Sequence, residues 1–397
     1  MRKLLIVPLL LISAGVIAAP KISEPLPPEL RELSKKGIDA IYAVDIETAR
    51  ADFEAAVKKF PAHPYPRFGV AMAKWAELEY LEDESDPKLD KEYSELTDNA
   101  IAVGLKWLKV HPGDANAHMC LGGMYGLRAR LAVLQHRWFA AYFDGRKAIS
   151  NTREALKINP QLYDAYLGLG MYEYYAGTLP GVIKLLAKFF LRGDADIGIK
   201  HLNICKEKGY FNSVAAKLLL VEIYTQTGSR YADTATAVKW SREMRAAYPG
   251  HPQMHFVEIV SLYENKQYDE SRREAFEYLK AVNEGRPAYR KRYLPRVLTA
   301  IGTTYLVEKK YDEAADYFAK AAATLKDDPA AHPARWGVWA VVRLGNVYDI
   351  KGARAKAVEF YQEAKAYKDE WGFSESIRNY LKKPFAETEL PCTLPPP

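Results

Sequence analysis

A helix-pair pattern that returns along the chain limits what this sequence can become. From Leu298 to Ala321 the apolar and small residues fall at Leu298, Ile301, Gly302, Tyr305, Ala314, Phe318 and Ala321, a spacing that places them on the facing sides of two consecutive helices. Gly302, Ala314 and Ala321 let the two helices approach, while Leu298, Tyr305 and Phe318 fill the space beside them. The same spacing returns at Leu344, Gly345, Tyr348, Ala357, Tyr361 and Ala364. Upstream, Ala49, Phe53, Ala56 and Pro61 fit the second helix of a first pair and the proline that closes it. Pro112, Pro160 and Pro249 also stand behind helical patterns, and Pro329 a few residues later; a proline there stops the helix and redirects the chain. First helices of further pairs are read at Leu121-Gly122 with Tyr125, at Leu169-Gly170, at Leu220 with Tyr224, and from Ile259 to Tyr263. Strand-like alternation is essentially missing. A helix pair of this kind cannot bury its apolar face alone, so the expected fold is an all-α solenoid of about eight stacked pairs over residues 28–370.

The unit resembles the tetratricopeptide repeat, a helix-turn-helix of 34 residues with a Leu-Gly pair and Tyr on helix A and Ala, an aromatic and Ala on helix B. The stretch from Gly168 through Tyr174-Tyr175-Ala176-Gly177-Thr178-Leu179-Pro180 to Gly198 and Leu202 is similar to exported bacterial members in which a Leu-Pro hydrophobic helix interrupts one repeat. That likeness implies architecture and export, and no activity. In such arrays helix A lines the concave face. The resemblance therefore implies a groove that includes Asp164, Met171, Tyr174, Glu222, Arg296, Thr303, Trp339 and Asn346. Val342 stands where a carboxylate-clamping lysine would precede Asn346, so capture of a free C-terminus is not implied.

Three pairs carry insertions between their helices, at residues 82–96, 127–143 and 177–193, about 14 to 19 residues beyond the uninterrupted pattern. Equivalent turns of a solenoid lie along one edge, so the insertions are expected to be neighbours. The first is acidic, from Glu82 to Asp86. The second extends helix A through Arg128, Arg130, His136, Arg137, Trp138 and Phe139. The third, from Leu179 to Arg192, is mostly apolar, with Lys184, Lys188 and Arg192 four apart beside Phe189 and Phe190. That pattern fits a core-filling helix, or an amphipathic one docked on a membrane surface or a partner. Arg286, Arg290, Lys291, Arg292 and Arg296 form a further basic cluster, read as a solvated turn.

The first residues join a positive start (Arg2, Lys3), an apolar run from Leu4 to Ile12 and small residues up to Ala18-Ala19, the parts of a secretory signal. Cleavage is expected after Ala18, with a linker at 19–27, a helical cap at 371–383 and a Pro-rich tail at 384–397, and a periplasmic location follows. Loss of Arg2 and Lys3 lowers the net charge from +6 to +4 (6 − 2), too little to indicate nucleic acid. The three cysteines, Cys120, Cys205 and Cys392, make no metal cluster or disulfide framework. Cys392 lies in the tail and is expected to be an exposed, mobile thiol able to form an intermolecular disulfide.

Motifs that would carry chemistry are missing. His251 and His255 have helical ligand spacing without a third ligand, and the glycines at 122–126 and 168–170 sit inside helices with no strand before them. No catalytic residue, metal or cofactor is expected. The reading is an exported scaffold that holds a partner protein or peptide in its groove, with no oligomeric state assigned. The alternatives are a membrane-peripheral assembly protein docking through 179–192, and an enzyme whose site is assembled only in space.

Overall fold

The computed structural model describes residues 25–80, 87–135, 137–178, 193–326, 335–367 and 372–394. The signal segment, the acidic stretch Glu82 to Asp86, His136, Pro329 and the insertion residues Lys184, Lys188, Phe189, Phe190 and Arg192 lie outside them.

Among the described residues there are seventeen α-helices and no strand. They pair in sequence: α1 (Pro28–Tyr42) with α2 (Ile46–Lys59), α3 (Pro64–Tyr80) with α4 (Pro87–Val110), α5 (Ala115–Leu134) with α6 (Trp138–Ile158), and α7 (Tyr166–Thr178) with α8 (Ala195–Lys208). The second half repeats the plan: α9 (Ser213–Tyr224) with α10 (Thr234–Ala247), α11 (Pro252–Glu264) with α12 (Tyr268–Asn283), α13 (Leu294–Val307) with α14 (Tyr311–Ala323), and α15 (Arg335–Ile350) with α16 (Arg354–Ala366). A last helix, α17 (Ser374–Lys382), covers the end of the stack. The eight pairs form the expected solenoid.

Local chemistry starts and stops these helices. Asp45, Asp114, Asp194 and Asp233 each accept a hydrogen bond from a backbone N–H of the first turn they precede, satisfying donors that a helix start leaves open. The uninterrupted turns between paired helices share one geometry. Val44, Lys266, Lys309 and Gly352 all have positive φ, between 59° and 75°. The amide just after each bonds back to a carbonyl five residues earlier, as from Gln267 to Leu262 and from Lys310 to Tyr305. This left-handed helix end favours glycine, yet only Gly352 supplies it. Lys266→Gly, at an exposed position, should therefore stabilise the protein by about 0.5–1 kcal/mol, read as a higher midpoint in urea.

Packing follows the repeat pattern. The helix-B residues Ala49, Phe53 and Ala56, then Ala314, Phe318 and Ala321, then Ala357, Tyr361 and Ala364, are all buried. A Cβ placed on Gly345 would lie 2.3 Å from the Tyr361 ring, so glycine is what lets these helices meet.

The solenoid also curls back on itself. The Tyr42 ring lies 5.5 Å from that of Tyr248, the Arg31 guanidinium 3.9 Å from the Tyr210 ring, and Tyr65 against Phe211 at 5.4 Å. The first two pairs thereby pack on the turns flanking the fifth. Further along, Arg292 donates to the carbonyl of Glu79 at 2.5 Å, joining residues 213 positions apart. The basic cluster read as a solvated turn thus supplies a closing contact.

Cys392 is a correction. It is only 9% exposed, its carbonyl accepts a hydrogen bond from the Tyr263 hydroxyl, and it packs with Leu298, Leu306 and Leu344. The proline-rich composition precludes a helix there, but an extended segment can still lie down on a surface.

Candidate functional site on the inner face

Four successive first helices converge on the inside of the curl. Trp75 and Glu79 stand near the end of α3, Arg130 in the last two turns of α5, Tyr175 near the end of α7 and Glu222 near the end of α9. The Glu79 carboxylate accepts from the Trp75 indole N–H at 2.9 Å and from Arg130 at 2.9 Å, and the Arg130 guanidinium lies 4.9 Å from the Trp75 ring. These contacts fix one carboxylate and one cation in place. Arg130 and Tyr175 remain open, the Arg130 side chain at 52% and Tyr175 at 49% exposure.

Glu222 is partly buried and behaves differently from Glu79. Burial first, and the Glu79 charge second, push its carboxyl up to about 7, against the opposing effect of Arg130. Burial, reinforced by Glu222, likewise pushes the Tyr175 hydroxyl up to about 12. Next to this cluster, Ile38, Ile41, Tyr42, Met72, Ala76 and Leu127 join Trp75 and Glu79 around a hollow of about 100 Å³. Its size suits one apolar side chain. The arrangement can hold an apolar group in the hollow and a hydrogen-bonding or basic group at Glu222, which can exchange a proton near neutrality.

A pH dependence follows. Glu222 has a folded value of about 7 against an ordinary 4.5. The folded state therefore binds this proton more tightly than the unfolded state, and the stability it contributes is full below about pH 4.5 and lost as pH rises through 7. Wild-type protein should lose on the order of 2–3 kcal/mol between pH 5 and 8 through this group. Glu222→Gln should remove that part of the slope in thermal melts across the same range.

Of the groove residues expected from sequence, Glu222 belongs to this cluster and the others do not. Asp164 is buried, and its carboxylate accepts from the backbone N–H of Phe211 and of Asn212, both at 2.8 Å. Met171 packs with Leu202 and Leu220. Tyr174 is 3% exposed, and its neighbour Tyr175 takes the inward position. Arg296 is enclosed by Phe256, Tyr278 and Tyr293, with its guanidinium 4.0 Å from the Tyr293 ring. The Thr303 hydroxyl is buried and donates to the Thr299 carbonyl at 2.7 Å, while Trp339 lies against Phe373 and Arg343. Asn346 is fully buried and donates to the Tyr361 hydroxyl at 2.9 Å. These positions were expected to face an open groove. Contacts within their own helices and pairs, and with the elements stacked beside them, consume them.

On the insertion edge, Trp138 and Phe139 are 61% and 84% exposed, with Phe143 at 57% one turn on. Arg128, by contrast, is tied to Asp144 and Asp98 at 2.6–2.7 Å. His251 caps α11 through its ring nitrogen, and His255 contacts Tyr289 and Glu274. Among the described residues no group of three or more potential ligands is arranged to hold a metal.

No protein-family model matches the sequence, and no curated protein matches it. Solved structures of similar outline include yeast Tom70, 11% identical, covering 90% of this chain and 89% of that one at a TM-score of 0.42. A human IFIT1 dimer with PPP-AAAA is 14% identical, covering 89% and 85%, with a TM-score of 0.47. A tetratricopeptide repeat protein from Parabacteroides merdae is 14% identical, covering 90% and 98%, with a TM-score of 0.31. The chain is similar to these proteins in its helical-repeat architecture, which its own eight helix pairs display.

Proposed function

We propose that this protein is an exported, non-catalytic scaffold that holds a segment of a partner protein against the inner face of its second to fifth helix pairs. The observation that carries this reading is the convergence of Trp75, Glu79, Arg130, Tyr175 and Glu222 beside an apolar hollow. An aromatic and charged surface with one anchoring hollow is what a protein segment requires. Carboxylates at its centre disfavour a phosphate backbone, and the N-terminal pattern supports export. Crosslinked pull-down from a periplasmic extract should recover a defined partner with wild-type protein and lose it with Glu222→Ala. Absence of the mature chain from that extract would contradict export, and recovery unchanged by Glu222→Ala would contradict the site.

The exposed aromatics of α6 favour a second reading, a peripheral contact with membranes. Trp138, Phe139 and Phe143 lie beside Arg137 and Arg146, an arrangement suited to an anionic interface. No described helix is long and apolar enough to cross a membrane. Burying an aromatic side chain contributes on the order of 2 kcal/mol. Wild-type protein should therefore co-sediment with anionic liposomes, and Phe139→Asp with Phe143→Asp should stay in the supernatant with an unchanged melt. Wild-type protein that stays in the supernatant would remove this reading.

A further inference from the structure

The segment after α17 does not trail away from the solenoid. It runs across the C-terminal ends of α15, α13 and α11, the edge where paired helices turn. Its contacts begin at Phe385, whose N–H donates to Asp349 at 2.9 Å. Glu387 then meets Lys309 and accepts from the Tyr311 hydroxyl at 2.8 Å. Further on, the Cys392 carbonyl accepts from the Tyr263 hydroxyl, the Thr393 carbonyl from Arg343 at 3.0 Å, and the Leu394 N–H donates to Glu264 at 3.1 Å. Apart from Glu387, these contacts read backbone groups of the tail with side chains of the solenoid.

After a 3-10 turn at Glu387–Glu389, the apolar side chains alternate. Leu390, Cys392 and Leu394 turn toward the helices, while Pro391 and Thr393 face outward. Alternation is what an extended chain presents to a surface, and backbone contacts joined to pockets for alternate side chains are how grooves recognise extended peptides. The eight described pairs and α17 all precede this segment, which adds Cys392 and Leu394 to the apolar contacts of α11, α13 and α15. No described helix pair is built through the tail, so it can leave without parting one.

We infer that the trough across α11, α13 and α15 is a peptide-recognition surface occupied by the chain's own residues 385–394, and that an extended partner segment with apolar side chains at alternate positions exchanges with them. Tyr263, Glu264, Arg343 and Asp349 serve as the backbone-reading groups. The surface is separate from the inner-face cluster and does not rest on its proposed role. A tethered occupant lowers apparent affinity for a competitor by the fraction of time it is away.

The test uses the full chain and a fluorescein-labelled synthetic peptide of residues 384–394 under reducing conditions, read by anisotropy. Leu394→Asp, which removes an anchor from the tail and leaves the trough intact, should bind the peptide at least about tenfold more tightly than wild type. Adding Tyr263→Phe should weaken that binding several-fold. Equal or undetectable binding by wild type and a folded Leu394→Asp chain would overturn the inference. Should Leu394→Asp fail to fold, amide exchange of the wild-type chain decides. Phe385 and Leu394 amides that open well before the amides of α11 and α15 support exchange of the tail, and amides that open only with those helices overturn it.

Discussion

Asp349→Ala should destabilise the C-terminal pair by about 3 kcal/mol, the loss expected when one member of a buried charge network is removed. Its carboxylate accepts from Arg354 through both oxygens at 2.9 Å, from the Tyr361 hydroxyl at 2.8 Å and from the Phe385 amide at 2.9 Å. Those partners join α15 to α16 and to the start of the tail. Alanine leaves the Tyr361 hydroxyl and the Arg354 guanidinium short of an acceptor in the packed end of the stack, although Arg354 keeps its bonds to the carbonyls of Tyr380 and Leu381. Asp349→Asn retains acceptor capacity and should lose less. Because solenoid stability is close to a sum of local terms, the effect should appear as early exchange and proteolysis of α15–α17, with the N-terminal pairs unchanged. Uniform destabilisation along the chain would contradict this placement.

The second large effect is expected at Gly198. A Cβ there would fall 2.5 Å from the Tyr174 amide nitrogen, 2.8 Å from its Cα and 2.9 Å from the Gly170 carbonyl oxygen. All three are backbone atoms of α7, which cannot swing aside as a flexible side chain can. Gly198→Val must therefore push α8 away from α7, at a cost of about 3 kcal/mol or more. It also disturbs the inner face, since α7 carries Tyr175. A thermal melt should show the loss, and Gly145→Ala, where a Cβ would meet nothing within 4 Å, is the control that should not. A Gly198→Val melt matching wild type would show that α7 and α8 are not in backbone contact.

Much of this fold was legible in the sequence, and the reason is periodicity. Phe53, Phe318 and Tyr361 flanked by alanines at helical spacing could only be the buried stripe of a second helix, and all three are fully buried. The site was less legible. Glu222 was identified from its position on helix A, but in the preceding pair the count chose Tyr174 where Tyr175 turns inward. Adjacent residues stand about 100° apart on an α-helix, so a slip of one position in the count exchanges a buried tyrosine for an inward one. Trp75 and Glu79 carried no local signal, and Arg292 carried only that of a solvated basic turn. Their meeting depends on how tightly eight pairs curl, which is set by small angles accumulated at every interface. The buried Cys392 was missed because exclusion from a helix was equated with exposure.

If the inner face around Tyr175 receives a protein segment, that segment lies within reach of a probe on the Tyr175 side chain. A photo-crosslinking amino acid placed at Tyr175, and in a parallel chain at the exposed Tyr210, tests it in living cells. Position 175 should give discrete protein adducts that vanish when Arg130→Ala is added to a folded chain, and position 210 no equivalent adducts. Identical adduct patterns from both positions, or adducts at 175 indifferent to Arg130, would contradict it.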